Sequence, residues 1–298
     1  MTSRSLTVLP PPRPLYLLKA RQHTLKVGDK TLLMGVVNLT PDSFSNDGRL
    51  VKGYDPVTNV RFAKQLIAQG ADIIDLGAES SRPGAKAISV QEELGRLMPT
   101  LVKLVKTVKV PISVDTYKPQ VAKRALEAGA SIINNIRGTQ INKSLLKIVC
   151  DYQAAIVLMH MRGNPRTMRK RASYKNLIKE IIQELKSSLE KCLEAGIKKD
   201  RIIIDPGLGF AKTVQHNLVI LRNLYQFHAL GCPVLIGPSR KSFIGHILQK
   251  DTTQRLMGTA AAVSVGVAGG AHIVRVHDVS AMKDVVLMAD AIIKEENQ

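Results

Sequence analysis

Apolar runs rich in β-branched residues alternate with longer stretches in which apolar positions recur every three to four residues, from residue 32 almost to the C-terminus. The short runs predict strands at 32–38, 72–78, 111–116, 131–136, 155–160, 201–205, 234–237 and 273–277, and the stretches between them predict amphipathic helices. Strands separated by helices are the pattern of parallel strands joined by crossovers, and eight such units predict an α/β fold, a single (β/α)8 TIM barrel. A doubly wound open sheet is the alternative arrangement of the same units. Asp55-Pro56 reads as a helix N-cap followed by proline, Ser89 and Glu92 have capping-box spacing, and Gly70, Gly129 and Gly196 each stand where a helix should stop. Residues 24–33 hold Val27-Gly28-Asp29-Lys30 between apolar positions and predict an N-terminal β-hairpin sealing the lower end of the barrel. Residues 1–23, interrupted by Pro10, Pro11, Pro12 and Pro14, read as a flexible arm, which leaves 24–298 as one barrel domain.

Composition narrows the class. With 298 residues and 45% hydrophobic content, the chain suits one large domain. Its longest apolar stretch, 258–271, is too short and too rich in Gly and Ala to span a bilayer, and the first residues lack the apolar core of a secretory signal. Cys150, Cys192 and Cys232 are odd in number and widely spaced, which predicts neither disulfides nor a zinc site and fits a reducing, cytoplasmic setting. The formal net charge of +19 favours anionic partners. That charge is spread over many helices, and the chain has no Trp, five Phe and six Tyr, so no specific nucleic-acid surface is expected.

In a β/α barrel, the residues that end strands and open the following loops converge on one face, where chemistry is done. Here those positions are polar: Asn38 ends the first strand, Asp115 the third, Asn134 the fourth and Asp205 the sixth. Lys241 follows the seventh, and Arg275 and His277 end the eighth. Each has an ordinary structural use as well. Asp115 could cap the next helix, Asp205 could fix the Pro206-Gly207 turn, Asn134 could satisfy loop backbone, Lys241 could lie on the surface and Arg275 could be an ion-pair member. Taken together, carboxylates and an amide match a planar nitrogen-rich ring, and the cations match oxyanions, which describes a heterocycle with an anionic tail. Two loops add to this. Residues 38–53 form a long polar connection that reads as a lid, and residues 79–89 contain Ser80-Ser81-Arg82-Pro83-Gly84, whose arginine can reach phosphate.

At these residues the chain resembles the dihydropteroate synthases. The resemblance runs from Met34 to His277 and rests on Met34-Gly35-Val36-Val37-Asn38-Leu39-Thr40-Pro41-Asp42-Ser43-Phe44-Ser45, the loop from Glu79 to Gly84, Val114-Asp115-Thr116, Ile133-Asn134, Asp205-Pro206-Gly207, Ser239-Arg240-Lys241-Ser242 and Arg275-Val276-His277-Asp278. It implies a transferase of folate biosynthesis that condenses 6-hydroxymethyl-7,8-dihydropterin diphosphate with p-aminobenzoate and releases pyrophosphate. By this resemblance the pterin is held by Asp115, Asn134, Met159, Asp205 and Lys241, and the diphosphate by Asn38, Ser81, Arg82, Arg275 and His277. The p-aminobenzoate subsite would comprise Phe44, Pro83, Phe210, Lys241 and Ser242, where sulfonamides compete, and Mg2+ would bridge Asn38 and the diphosphate. The family pattern further implies a homodimer formed by helices late in the chain, where residues 260–270 are small.

Departures are modest: Ser81 stands for a threonine, Ala78 for a glycine, and Leu208 and Ala211 alter a glycine-rich segment. None removes a group with an assigned chemical role. The alternatives are the pterin-binding barrel of a methyltransferase, against which the 38–45 and 239–242 segments argue, and a noncatalytic or nucleic-acid-binding paralogue.

Overall fold

The computed structural model describes residues 12–40 and 55–295. Eight parallel strands form the sheet: β3 (Leu32–Asn38), β4 (Ile73–Gly77), β5 (Ile112–Asp115), β6 (Ile132–Asn135), β7 (Ala155–Met159), β8 (Ile202–Asp205), β9 (Leu235–Ile236) and β10 (Ile273–Val276). They follow the hairpin strands β1 (Tyr16–Ala20) and β2 (His23–Val27). The order β8-β7-β6-β5-β4-β3-β10-β9 is closed by a parallel bridge between Ile204 and Val234, so the sheet meets itself as a barrel and the open-sheet alternative is ruled out. Around it lie α1 (Pro56–Ala68), α2 (Val90–Val105), α3 (Pro119–Glu127), α4 (Lys143–Asp151), α5 (Leu177–Glu194), α6 (Val214–Arg222), α7 (Ser242–Leu248), α8 (Leu256–Ala268) and α9 (Val279–Glu295).

Local chemistry sets the helix boundaries. Asp55 accepts from the backbone N–H groups of Val57 and Thr58 ahead of Pro56. Ser89 accepts from the Glu92 N–H, but the Glu92 side chain pairs with Arg96, so the predicted box is only half made. The expected stops at Gly70, Gly129 and Gly196 all have positive φ, at 106°, 112° and 86°.

Alternation along the strands sorts the core into two layers. One set of residues, including Leu33, Ile74, Ile133 and Ile204, packs against the helices, and the other, including Met34, Ile73, Ile132, Val157, Ile203 and Ile273, fills the lower barrel interior. Two residues further along, the inward positions become Asp75, Asn134, Met159, Asp205 and Arg275. Thus an apolar plug of buried aliphatic side chains underlies a polar layer at the C-terminal mouth.

The hairpin closes the lower end as expected, but its register is different. The turn is Arg21-Gln22, Tyr16 pairs with Val27, and the segment at Gly28 leads into β3. Gly28-Asp29 carries the stronger local turn signal, yet Arg21 adopts φ 56° because its guanidinium donates to the carbonyls of Leu126 (2.7 Å) and Ala130 (2.9 Å). Consequently part of the expected arm is ordered structure: Leu18 and Ala20 are buried against the plug. Arg13 is anchored by Asp290 (2.9 Å), Thr31 Oγ1 (2.6 Å) and the carbonyls of Gly28 and Ala271.

Asp290 also accepts from the Thr31 backbone N–H and hydroxyl. Its removal therefore leaves the buried Thr31 N–H without its acceptor and takes the paired carboxylate from the Arg13 guanidinium. Asp290→Ala should lower the unfolding free energy by about 3 kcal/mol. A reduced urea midpoint with an unchanged slope is the expected reading, and an unmoved midpoint would show that this anchor contributes nothing.

Candidate functional site

The polar layer owes its arrangement to strand register. Asn38 pairs with Gly77, Gly77 with Asp115 and Asp115 with Asn134 across four neighbouring strands, while Met159 pairs with Asp205 further round. Gly77 leaves space here: a Cβ on it would lie 3.9 Å from both Asn38 Oδ1 and Asp115 Oδ2.

Arg275 crosses the barrel mouth. Its Nε donates to Asp75 Oδ2 at 2.7 Å and its Nη2 to Asp115 Oδ2 at 3.3 Å. Asn134 Nδ2 donates to the same Asp75 oxygen at 3.2 Å. Asp75 is fully buried, and its Oδ1 has no hydrogen-bond partner among the described residues. Burial works against the charge of Arg275, but Asp75 and Asp115 outweigh it and hold its pKa above the ordinary value. Burial pushes Asp115 up; Arg275 opposes the shift, and Asp75 and Glu93 add to it. These contacts settle the structural uses open in the sequence. Asp115 does not cap α3, whose N-cap Lys118 has no side-chain cap bond, but faces Arg275 instead.

Asp205 fixes the turn that follows it and still presents its carboxylate at the mouth. One oxygen accepts from the Gly207 N–H at 2.7 Å, fixing the turn, and the carboxylate remains at the mouth, where burial raises it to about 6 against the pull of that bond and of Lys241. Lys241 points inward with Nζ 4.1 Å from the centre of the Phe210 ring. Burial and then Arg275 bring it down to about 8. Met159 and Phe210 share an apolar cluster with Ile136, Met161, Met168 and Ala211, against which Tyr117 packs. Ser242 is exposed at the start of α7.

His277 lies beside the cations. Its Nδ1 is 2.9 Å from Ser239 Oγ, and that oxygen also accepts from the His277 N–H. Burial first, and then Arg275, Arg240, Lys241 and Arg82, depress it to about 3, so the ring is neutral. Neighbouring Arg240 has φ 56°, a conformation held by Thr259 Oγ1 on its N–H, Arg255 on its carbonyl and an ion pair to Asp278. That strained residue aims Lys241 inward. Ser81 is half-buried and Arg82 and Pro83 are exposed in the loop after β4, which is tied to the β7–α5 loop by the Gly84 N–H donating to the Pro165 carbonyl. Phe44 and the rest of 41–54 lie outside the described residues.

Asp75 escaped the sequence reading. It stands in mid-strand between Ile74 and Leu76, not at a strand end; a lone carboxylate in an apolar run was the available signal. The network of Lys118 with Glu79 and Glu93, and of Tyr117 with Glu79, which ties the 79–89 loop to β5, was also not legible.

The chain matches the family model described as "Pterin binding enzyme" over residues 34–277. A dihydropteroate synthase of Synechocystis sp. is 43% identical over 284 residues, covering 95% of this chain and 96% of that protein. The Yersinia pestis dihydropteroate synthase, solved with a sulfonamide drug complex, aligns with a TM-score of 0.87 at 36% identity, covering 93% of this chain and 98% of that one. The Xanthomonas albilineans enzyme, solved with 4-aminobenzoic acid, aligns with a TM-score of 0.85 at 37% identity, covering 94% and 98%. These relatives are synthases, and the methyltransferase alternative gains no support from them.

Removing Asp75 would leave Arg275 with Asp115 alone and Asn134 Nδ2 without its acceptor. Asp75→Ala should therefore cost about 3 kcal/mol of stability, measured by guanidinium denaturation; coincident curves for variant and wild type would discard Asp75 as the anchor. A pterin-binding model spanning most of the chain, whole-length relatives and the same barrel with a polar mouth make one assignment: the chain belongs to the pterin-binding enzymes, among the dihydropteroate synthases.

Proposed function

We propose that this chain is a transferase of folate synthesis that joins 6-hydroxymethyl-7,8-dihydropterin diphosphate to p-aminobenzoate, giving 7,8-dihydropteroate and pyrophosphate. The observation that carries the reading is the pairing of ring acceptors with an oxyanion wall in one mouth: Asp115, Asn134 and Asp205 beside Arg275, Lys241 and His277. Asp205 and Asp115 accept from the N–H groups of the pterin, Asn134 and Lys241 complete its polar edge, and Met159 packs on its face.

The methylene C–O bond breaks with its electron pair leaving on pyrophosphate, and the electron-rich ring stabilises the resulting cation. The amine nitrogen of p-aminobenzoate then supplies the pair for the new C–N bond and releases a proton. No covalent bond to the protein is needed, so catalysis comes from positioning and from charge held where the diphosphate departs. Arg275 already donates within the mouth, and the neutral His277 ring, in the tautomer that accepts from Ser239 at Nδ1, would present its Nε2 hydrogen to a phosphate oxygen. Asn38, Ser81 and Arg82 would complete the diphosphate subsite, as the family resemblance implies. Phe210, Pro83 and Ser242, with Lys241 above the Phe210 ring, form the p-aminobenzoate subsite, where sulfonamides compete.

Among the described residues there is no cluster of three His, Cys, Asp or Glu able to enclose a metal. Mg2+ characteristically keeps several waters and leans on substrate phosphates with one or two protein oxygens. The Asn38 carboxamide oxygen would hold it, and the ion would neutralise the departing pyrophosphate. A homodimer would use α8 and α9, where Met257, Val265, Leu287, Met288 and Ile292 are exposed. Of the small residues expected there, Gly266 faces the barrel, where a Cβ would meet Ile236 at 2.2 Å, and serves packing within the chain. Cys150, Cys192 and Cys232 are free thiols, in keeping with a reducing, cytoplasmic setting; among the described residues no helix is long and apolar enough to cross a membrane.

Pyrophosphate release should require the pterin diphosphate, p-aminobenzoate and Mg2+ together, and should disappear with Lys241→Ala; release without p-aminobenzoate, or none from folded wild type, would sink the assignment. Arg275→Ala should reduce turnover about 100- to 1,000-fold while sparing calorimetric binding of a pterin lacking the diphosphate. Equal loss of both would contradict the division between ring and diphosphate groups.

A further inference from the structure

One lysine beneath the loop after β8 has no part in the reaction as described. Lys212 turns its ammonium inward, donating to the Phe210 carbonyl at 2.9 Å and lying 3.0 Å from His160 Nδ1. A Cβ on Gly207 would come within 3.5 Å of the same nitrogen, which places it directly under the turn that leaves Asp205. His160 is fully buried, and its Nε2 lies 3.0 Å from Glu184, which pairs in turn with Arg162; Arg162 also pairs with Glu180. Burial and the Lys212 charge bring His160 down to about 4, so its neutral ring accepts from Lys212 through Nδ1 and donates to Glu184 through Nε2. Arg162, Glu184, His160 and Lys212 thus run as one chain from α5 to the underside of the loop between Asp205 and Phe210.

We propose that Lys212 is a positioning residue for both substrates: its hydrogen bond to the Phe210 carbonyl fixes the loop that presents Phe210 to p-aminobenzoate, and its ammonium beneath the Gly207 turn supports the Asp205 carboxylate that receives the pterin ring. This rests on the reading of Asp205 as the ring acceptor. The groups facing Asp205 are the Gly207 N–H, Lys241, Lys212 and Arg275. Those facing Lys212 are Asp205 and Glu184, which favour its charge, Arg162 and Lys241, which oppose it, and the histidines His160, 3.0 Å away, and His216, both of which its charge lowers. Burial lowers Lys212 to about 7 and raises Asp205 to about 6, so the Lys212 ammonium is mostly charged at the midpoint of Asp205 and on its acid side.

The test is calorimetric binding of 6-hydroxymethylpterin between about pH 5 and 8, together with the KM for p-aminobenzoate, in wild type, Lys212→Met, Lys212→Gln and Asp205→Asn. An ionised Asp205 accepts two donors and a protonated one does not, so wild-type affinity should fall as pH drops through about 6. Without the neighbouring positive charge Asp205 protonates sooner, and the midpoint should move up by about one pH unit in both Lys212 variants. The KM should rise about tenfold in Lys212→Met and less in Lys212→Gln, whose amide can still donate to the Phe210 carbonyl. Should Lys212→Met fail to fold, Lys212→Gln carries the pH test alone. Unshifted midpoints in folded variants would overturn the inference and leave the site standing. Wild-type binding that ignores acidification, or is unaltered in Asp205→Asn, would remove Asp205 from the ring site and the inference with it.

Discussion

The bridge between Asp75 and Arg275 governs the mouth of this barrel. The two residues are 200 positions apart in sequence and meet at 2.7 Å in the barrel interior. A carboxylate with no exposure survives there only because a guanidinium and an amide satisfy one of its oxygens. The bridge does not serve stability best, since well-packed apolar residues of similar volume would often do as well. What it secures is direction: Arg275 is held at Nε, and its remaining donors are turned toward Asp115 and the mouth.

The apolar plug makes that direction dependable. Ile73, Ile132, Ile203 and Ile273 lie two residues before Asp75, Asn134, Asp205 and Arg275, and the inward position of each polar residue follows from the burial of its aliphatic partner. A shift of one residue in any strand would send the aliphatic residue outward and its polar successor into the helix layer. The site therefore inherits its precision from packing below it, and the hairpin that covers the plug, anchored through Arg13 and Arg21, acts on the site through the same layer.

This explains which parts were legible in sequence. Polar residues ending apolar runs, such as Asn134, Asp205 and Arg275, stand out because the strand pattern fixes both their height and their face. The eight barrel strands were legible for the same reason, with β3 found at its observed limits. Asp75 breaks the rule by lying in mid-strand, and nothing nearby in sequence announces a partner 200 residues away. Lys212 reads as a surface lysine in a loop, because the pocket that receives it is built by His160 and α5. The hairpin register was misread for a related reason: Arg21 is committed to a left-handed turn by carbonyls at the end of α3 and beyond, which local turn propensity does not register. What sequence conceals here is the long-range polar contact, in which each partner is ordinary until the other is known.

The same contacts leave the mouth electrostatically biased. Lys241, brought down to about 8, crowds Arg275, while neutral His277 is held near 3 by burial and its cationic neighbours. Each depression means that the surroundings disfavour another positive charge, and an anion placed among these groups would reverse that sign. By linkage, a diphosphate would raise these pKa values as it bound, so its binding would tighten in the pH range where they gain protons. The acidic side of the mouth answers the other substrate feature, for Asp205 and Asp115 are raised where a donor-rich ring would favour their charged forms. The opposing shifts arise first from burial, which raises carboxyls and lowers cations alike, and a ligand that donates hydrogen bonds at one end and carries an anion at the other would offset both.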